Sequence, residues 1–155
     1  MAEHTIESKL RELGLELPEA PAPGGNYLPF RINGNTLYLA GTICSLRGVV
    51  THSGQVGGER SVDEGYAAAR VCALNSLAAV KAALGSLDRV KEFLYVGGYV
   101  SAVAGFDRSP QVVNGASDLF VSLYGEAGKH ARAAVAVAGL PRNATVEIQV
   151  TVAVD

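Results

Sequence analysis

Residues 61–85 carry the longest periodic pattern in the chain, and they limit the folds open to it more than any other segment. Ser61-Val62-Asp63-Glu64 is a capping box, with a hydroxyl at the N-cap and a carboxylate three residues on, and it predicts a helix start. Tyr66, Ala69, Ala73, Leu77, Val80 and Leu84 follow at three- and four-residue steps and stop at Gly85. One apolar stripe therefore runs the length of the helix and needs another layer of structure to cover it.

The remaining segments supply that layer. Residues 91–103 predict a strand rich in Phe93, Tyr95, Val96, Tyr99 and Val100, with Gly97-Gly98 marking a bulge or a close approach by another backbone. Residues 111–124 predict a second helix, whose buried side is Val112, Val113, Ala116, Leu119, Phe120 and Leu123. Upstream, residues 28–32 and 36–40 flank Asn33-Gly34-Asn35, a strong hairpin signal. Ile6, Leu10 and Leu13 recur at helical spacing up to Gly14, and residues 18–25 form a Pro/Gly/Ala connector. The Gly-rich stretch 41–59 reads as a short strand and a long loop or extra hairpin.

The order β-β-(β)-α-β-α-β-β predicts an α+β fold: one mixed sheet with two long helices on a single face. The whole chain, 1–155, forms one domain, with 1–25 as a helical extension and connector and 26–155 as the core. Hydrophobic residues make up 48% of the chain and charged residues 18%, an apolar balance that predicts burial of surface against other copies. The second face of the sheet is the surface available for that.

Charge and targeting signals narrow the function classes. A formal net charge of −2 with scattered Lys and Arg gives no footprint for nucleic acid. No uncharged run is long enough to span a bilayer, and Met1-Ala2-Glu3-His4 is not a signal peptide, so the cytoplasm is the expected compartment. Cys44 and Cys72 are accordingly expected to be reduced thiols, and the Asn143-Ala144-Thr145 sequon carries no weight. His4, His52 and His130 are far apart and have no Cys, Asp or Glu at ligand spacing, which argues against a metal site. Gly54, Gly57 and Gly58 lack the Lys-Ser/Thr of a phosphate loop.

The chemistry-bearing signal lies near the C-terminus. Ala133, Ala134, Val135, Ala136, Val137 and Ala138 read as a nearly continuous buried strand, opened by the lone charge of Arg132. After the turn at 139–144, Val146, Ile148, Val150, Val152 and Val154 alternate with Glu147, Gln149 and Thr151. Paired as a tight antiparallel hairpin, the two strands would place Arg132, Ala134 and Ala136 on the face that carries Glu147 and Gln149. A guanidinium beside small alanines suits a carboxylate ligand of a few carbon atoms. An Arg–Glu ion pair at a strand end or subunit boundary accounts for the same two residues.

The run from Ala131-Arg132-Ala133-Ala134 to Gly139-Leu140-Pro141, followed by Val146-Glu147-Ile148, resembles the C-terminal signature of the YjgF/RidA family, also labelled endoribonuclease L-PSP. Asn26-Tyr27, Leu39-Ala40-Gly41 and Val113-Asn114 match further family positions in order. The likeness covers residues 27–154, interrupted at 43–59, which is longer here than in short family members. It implies a chorismate mutase-like fold, a homotrimer with clefts between adjacent subunits, and hydrolysis of 2-imino or enamine acids to 2-keto acids and ammonia without metal or organic cofactor. By that resemblance Arg132 holds the substrate carboxylate and Glu147 positions the attacking water. Tyr27, Gly41, Asn114 and Ala134 match other cleft positions. Ala40 stands where many members have Ser and Ala134 where many have Cys, which makes the cleft larger and less polar. By residue type alone, Tyr27 is also a packing aromatic, Asn114 an exposed residue in a helix's first turn, and Gly41 a backbone requirement.

Three functions follow as expectations. They are an imine/enamine deaminase, a noncatalytic binding protein for small carboxylate metabolites such as 2-keto acids and, least favoured, a ribonuclease, which no His pair or basic groove at readable spacing supports.

Overall fold

The computed structural model describes residues 4–155. Met1, Ala2 and Glu3, which belong to the charged start noted above, lie outside the described residues. In chain order the elements are α1 (Ile6–Glu12), β1 (Phe30–Asn33), β2 (Thr36–Leu39), β3 (Thr42–Ile43), β4 (Ser45–Leu46), β5 (Val49–Val50), α2 (Val62–Leu84), β6 (Val90–Ser101), α3 (Ser109–Tyr124), β7 (Ala131–Val137) and β8 (Val146–Val154).

The local signals act as read. The Ser61 hydroxyl accepts from the Glu64 N–H while the Glu64 carboxylate accepts from the Ser61 N–H, and Gly85 closes α2 in the left-handed conformation at φ 83°. At the β1–β2 hairpin, Asn33 pairs with Thr36, leaving Gly34-Asn35 as the loop. Only Gly34 has a positive φ, 59°, the signature of a type II′ turn with Gly in the first central position. The N-terminal extension is pinned at both ends of α1: the Ile6 N–H donates to Asp88 Oδ1 at 2.8 Å and Lys9 Nζ donates to the Leu123 carbonyl at 3.2 Å. The Gly-rich segment contains β3 and a small hairpin of β4 with β5.

Both long helices lie on one face of the sheet, α2 over β8 and β3, and α3 over β6 and β7. They approach each other so closely that a Cβ on Gly115 would overlap the Tyr66 carbonyl. The core between helices and sheet includes Leu37, Leu77, Val96, Val100, Phe120, Ile148 and Val152, all fully buried. Phe93 meets the rings of Phe120 and Tyr124 at centroid distances of 4.4 and 5.0 Å. By composition alone α2 is apolar enough to cross a membrane, and its burial in this core accounts for that composition. Cys44 and Cys72 are free thiols in the same core.

The sheet runs β1-β2-β8-β6-β7, with β3 continuing beside β8. The expected hairpin of the last two strands does not form, because β6 lies between them, parallel to β7 and antiparallel to β8. The physical reason is the β6-α3-β7 connection: a strand reached through a crossover helix returns parallel to its predecessor. The Leu-Pro turn then carries the chain over the end of β6 instead of doubling it back.

Two further expectations change with this topology. β7 is the edge strand, so Ala131, Ala133, Val135 and Ala136 are exposed in the protomer rather than forming a buried run. The irregularities of β6 fall between Val90 and Glu92 and between Phe93 and Tyr95, not at Gly97-Gly98. Gly98 answers the other half of that expectation, a close approach, since a Cβ there would collide with the Val113 side chain of α3. The helix-free face of the sheet presents Tyr38, Tyr95, Tyr99 and Val135, each more than a third exposed.

Candidate functional site

Arg132 and Glu147 point to opposite faces of the sheet. Val96 sits between Arg132 and Val150 in the ladder, which places Arg132 on the helix-covered face. Glu147 pairs with Tyr99 and Ile43, one parity step away, and so belongs to the helix-free face. Their expected common face in one chain is therefore corrected, and no ion pair joins them. The cause is the change of pairing described above: inserting β6 removes the register that a hairpin would have imposed.

Each residue has its own setting. On the first side, Arg132 Nη1 donates to Asn114 Oδ1 at 2.8 Å and to Ser117 Oγ at 3.0 Å, and Nη2 donates to the Pro110 carbonyl at 3.4 Å. Asn114 and Ser117 are three residues apart on α3 and so share a helical face. Behind them, His130 Nδ1 lies 2.8 Å from the Gly128 carbonyl and Nε2 2.8 Å from Ser117 Oγ. A carbonyl only accepts, so Nδ1 carries the proton and the neutral ring's Nε2 accepts from the Ser117 hydroxyl. Burial lowers the His130 pKa, and the Arg132 charge lowers it further. Ala134 follows on the same face of β7, beside Gly98.

On the second side, Tyr27, Gly41 and Glu147 line one cavity of about 520 Å³. Glu147 is half-buried and, among the described residues, its carboxylate has neither hydrogen bond nor ion pair; burial raises its pKa above the ordinary carboxylate value. Gly41 occupies the break between β2 and β3, and a Cβ there would occupy the space of the Glu147 carboxylate. That close approach, rather than a strained dihedral, is why the position takes glycine. Gln149 Nε2 bridges the break by donating to the Leu39 carbonyl at 3.0 Å. Asn75, buried on α2, donates to the Ile43 and Ser45 carbonyls at 3.1 and 2.8 Å and holds the β3–β4 corner against the cavity. The Tyr27 hydroxyl accepts from the Gly24 N–H at 3.0 Å, which folds the connector over the rim.

The residues proposed from sequence thus fall into two sets: Arg132, Asn114 and Ala134 on one side, and Tyr27, Gly41 and Glu147 on the other. Ser117 escaped notice, although its position three residues after Asn114 was a usable signal. Arg47 and Arg142 also line the Glu147 cavity, and nothing in their local sequence marks them. Among the described residues no group of three His, Cys, Asp or Glu side chains is placed to hold a metal ion.

Set against known proteins, residues 7–152 match the family model described as "YjgF/chorismate mutase-like, putative endoribonuclease". Protein TCP17 of Trypanosoma cruzi is 41% identical over 98% of this chain and 96% of its own length. The crystal structure of Atu1372 from Agrobacterium tumefaciens, described as of unknown function, is 44% identical, with a TM-score of 0.91 over 97% of this chain and 92% of that one. A Shewanella oneidensis structure described as a "putative endoribonuclease" is 37% identical, with a TM-score of 0.93 over 97% and 99% of the two chains.

Proposed function

Since this chain belongs to the YjgF/chorismate mutase-like family and shares its fold, we propose that it is a deaminase of small 2-imino or enamine acids, working as a homotrimer. Each cleft is completed by Arg132 of one copy and Glu147 of the next. The observation that carries this is the pair of incomplete half-sites. One is a guanidinium held by neutral acceptors with no carboxylate partner, and the other is a half-buried carboxylate with no cation. The exposed aromatic face and the exposed β7 edge are the surfaces by which copies would bring the halves together.

The chemistry asks little of the protein. A protonated imine carbon is already electrophilic, so catalysis consists of fixing the substrate carboxylate and delivering one water. Arg132 would bind the carboxylate in the two-pronged geometry that guanidinium favours, with Asn114 and Ser117 setting its plane. Glu147, its pKa raised by burial, would take a proton from the attacking water as the C–O bond forms. Glu147 then returns that proton to the amino nitrogen of the carbinolamine, the C–N bond breaks to release ammonia as the hydroxyl oxygen closes the carbonyl, and the hydroxyl proton passes back to Glu147, leaving the 2-keto acid. No step needs a serine or cysteine nucleophile, and replacement of the common Cys by Ala134 is compatible with that.

Mixing two inactive variants tests the composite cleft directly. Arg132→Ala and Glu147→Ala should each fail to release ammonia from a 2-imino acid generated in situ by an amino-acid oxidase. Trimers reassembled from an equal mixture should recover activity, because about one cleft in four then pairs two intact halves. No recovery in mixed trimers of confirmed composition would refute the shared site. Absence of turnover in the wild type, with keto acids still binding, would leave a binding protein instead.

A further inference from the structure

We infer that the Glu147 cavity holds a second anionic group of its ligand through Arg47 and Arg142, and so selects 2-imino or 2-keto acids whose side chain ends in a carboxylate. The identity of the ligand as such an acid rests on the function proposed above, whereas recognition of the second negative charge does not.

Both arginines come from segments outside the regular core. Arg47 sits at the tip of the β4–β5 hairpin, in the two-residue turn Arg47-Gly48. Arg142 lies in the turn between β7 and β8. Both line the same cavity as Tyr27, Gly41 and Glu147. Two chain segments distant in sequence thus deliver guanidinium groups to the rim of one cleft.

Their backbone conformations are costly. Arg47 has φ 52°, Arg142 φ 56° and Asn143 φ 58°, and among the described residues these are the three non-glycine residues with positive φ. Asparagine tolerates that region, whereas an arginine there costs about 1 kcal/mol or more relative to a residue suited to it. Turn chemistry alone would favour Asn or Gly at both arginine positions. Strain of this kind gathers where a side chain has to be aimed.

Among the described residues, neither arginine forms an ion pair. Arg142 Nη2 donates to the Gly48 carbonyl, which ties the two turns together. Among the described residues its other side-chain donors have no partner, and the Arg47 side chain has none. The cavity also contains Glu19 and Glu147, and neither forms an ion pair with either arginine. Guanidiniums present only to neutralise those carboxylates would be paired with them. Instead, both arginines are exposed at the rim of the cavity, one of them tied to the opposite turn, and that arrangement fits an incoming carboxylate. The clamp at Arg132 would take the carboxylate next to the imine carbon, leaving this pair for the far end of the side chain.

The test uses ligands of equal chain length that differ in the terminal group: 2-oxoglutarate against 2-oxopentanoate for binding by calorimetry, and the imino acids formed in situ from D-glutamate and D-norvaline for turnover. Arg47→Asn and Arg142→Asn remove the guanidinium while keeping a residue at home in the left-handed region. Unchanged circular dichroism and a cooperative thermal transition confirm folding. Wild type should bind 2-oxoglutarate about tenfold or more tighter than 2-oxopentanoate, and each variant should erase most of that ratio, with Arg47→Lys restoring part of it. A wild-type ratio near one, or variants that weaken both ligands equally, would overturn the inference. Turnover of both imino acids without an acidic preference would remove the second anion site and leave the deaminase. An acidic preference in binding with no turnover would keep the site and remove the chemistry.

Discussion

Arg132 and Glu147 lie on strands flanking β6, yet their surroundings differ in every respect that matters for chemistry. The arginine sits beneath α3, its guanidinium bonded to Asn114, Ser117 and the Pro110 carbonyl, with His130 behind Ser117. The glutamate sits on the helix-free face in a cavity, its carboxylate without a partner among the described residues and its pKa raised by burial. The first arrangement fixes an orientation and leaves the charge unneutralised. The second keeps a carboxylate reactive at the expense of its own solvation. In the roles proposed for them, a clamp and a base need opposite treatment, and placing the two residues on opposite faces allows both within one protomer.

Breaking the clamp should have the largest effect. Arg132→Ala should lower kcat/KM for a 2-imino acid by roughly 10³-fold or more, through lost binding and orientation, and leave the thermal midpoint nearly unchanged. A fall of only a few-fold in steady-state kinetics would remove Arg132 from the site.

Removing the base comes next and separates the two halves by their kinetics. Glu147→Gln should reduce kcat by about 10²-fold or more with little change in KM. It should also raise the thermal midpoint at neutral pH. A carboxylate whose pKa is raised on folding binds its proton more tightly in the native state, so the ionised form destabilises the fold as pH climbs from the ordinary carboxylate value through the raised one. A calorimetric scan showing lower stability for Glu147→Gln at neutral pH would contradict this account.

Gly41→Ala sharpens the comparison without touching either charge. The new methyl takes the space of the Glu147 carboxylate and should push it aside, lowering kcat by about tenfold or more while the fold and keto-acid binding by the Arg132 half survive. Unchanged kcat would show that the carboxylate's position is unimportant.

The smallest effect belongs to the support behind the clamp. Ser117→Ala removes one acceptor from Arg132 and should cost about 1 kcal/mol in ligand binding, a several-fold change in KM. Wild-type activity should also fall on acidification. His130 has a lowered pKa, so below its ordinary value of 6.5 the unfolded chain takes up a proton that the native ring resists, and native stability declines until the folded pKa is passed. Protonated Nε2 also ceases to accept from Ser117. His130→Phe should flatten the acid limb of the stability profile, and an unaltered limb would rule His130 out as its source.

How legible these features were depended on how local their causes are. The capping box at Ser61, the stop at Gly85 and the Gly34 turn were readable because a few adjacent residues dictate each. The helix faces followed from apolar spacing, and both helices proved to share one side of the sheet. Arg132 and Glu147 drew attention as charges in apolar strands, and Gly41, Tyr27 and Asn114 by resemblance to a family. Ser117 is legible only through its three-residue spacing from Asn114, since a serine in a helix carries no signal of its own, and Arg47 is not legible because an arginine in a Gly-rich stretch reads as solvated. The pairing of the last two strands was misjudged because a short turn between strands suggests a hairpin unless the strand lying between them is known.

The sequence by itself determined the elements, their buried faces, the single α+β layer and family membership, since these depend on periodicity, caps and short-range residue patterns. Only the tertiary structure decided that β6 separates β7 from β8, that Arg132 and Glu147 face opposite ways, and that Arg47 and Arg142 reach the Glu147 cavity. Those outcomes depend on strand order, and strand order is set by which long-range pairings bury the most apolar surface, a property of the whole chain that no local window contains.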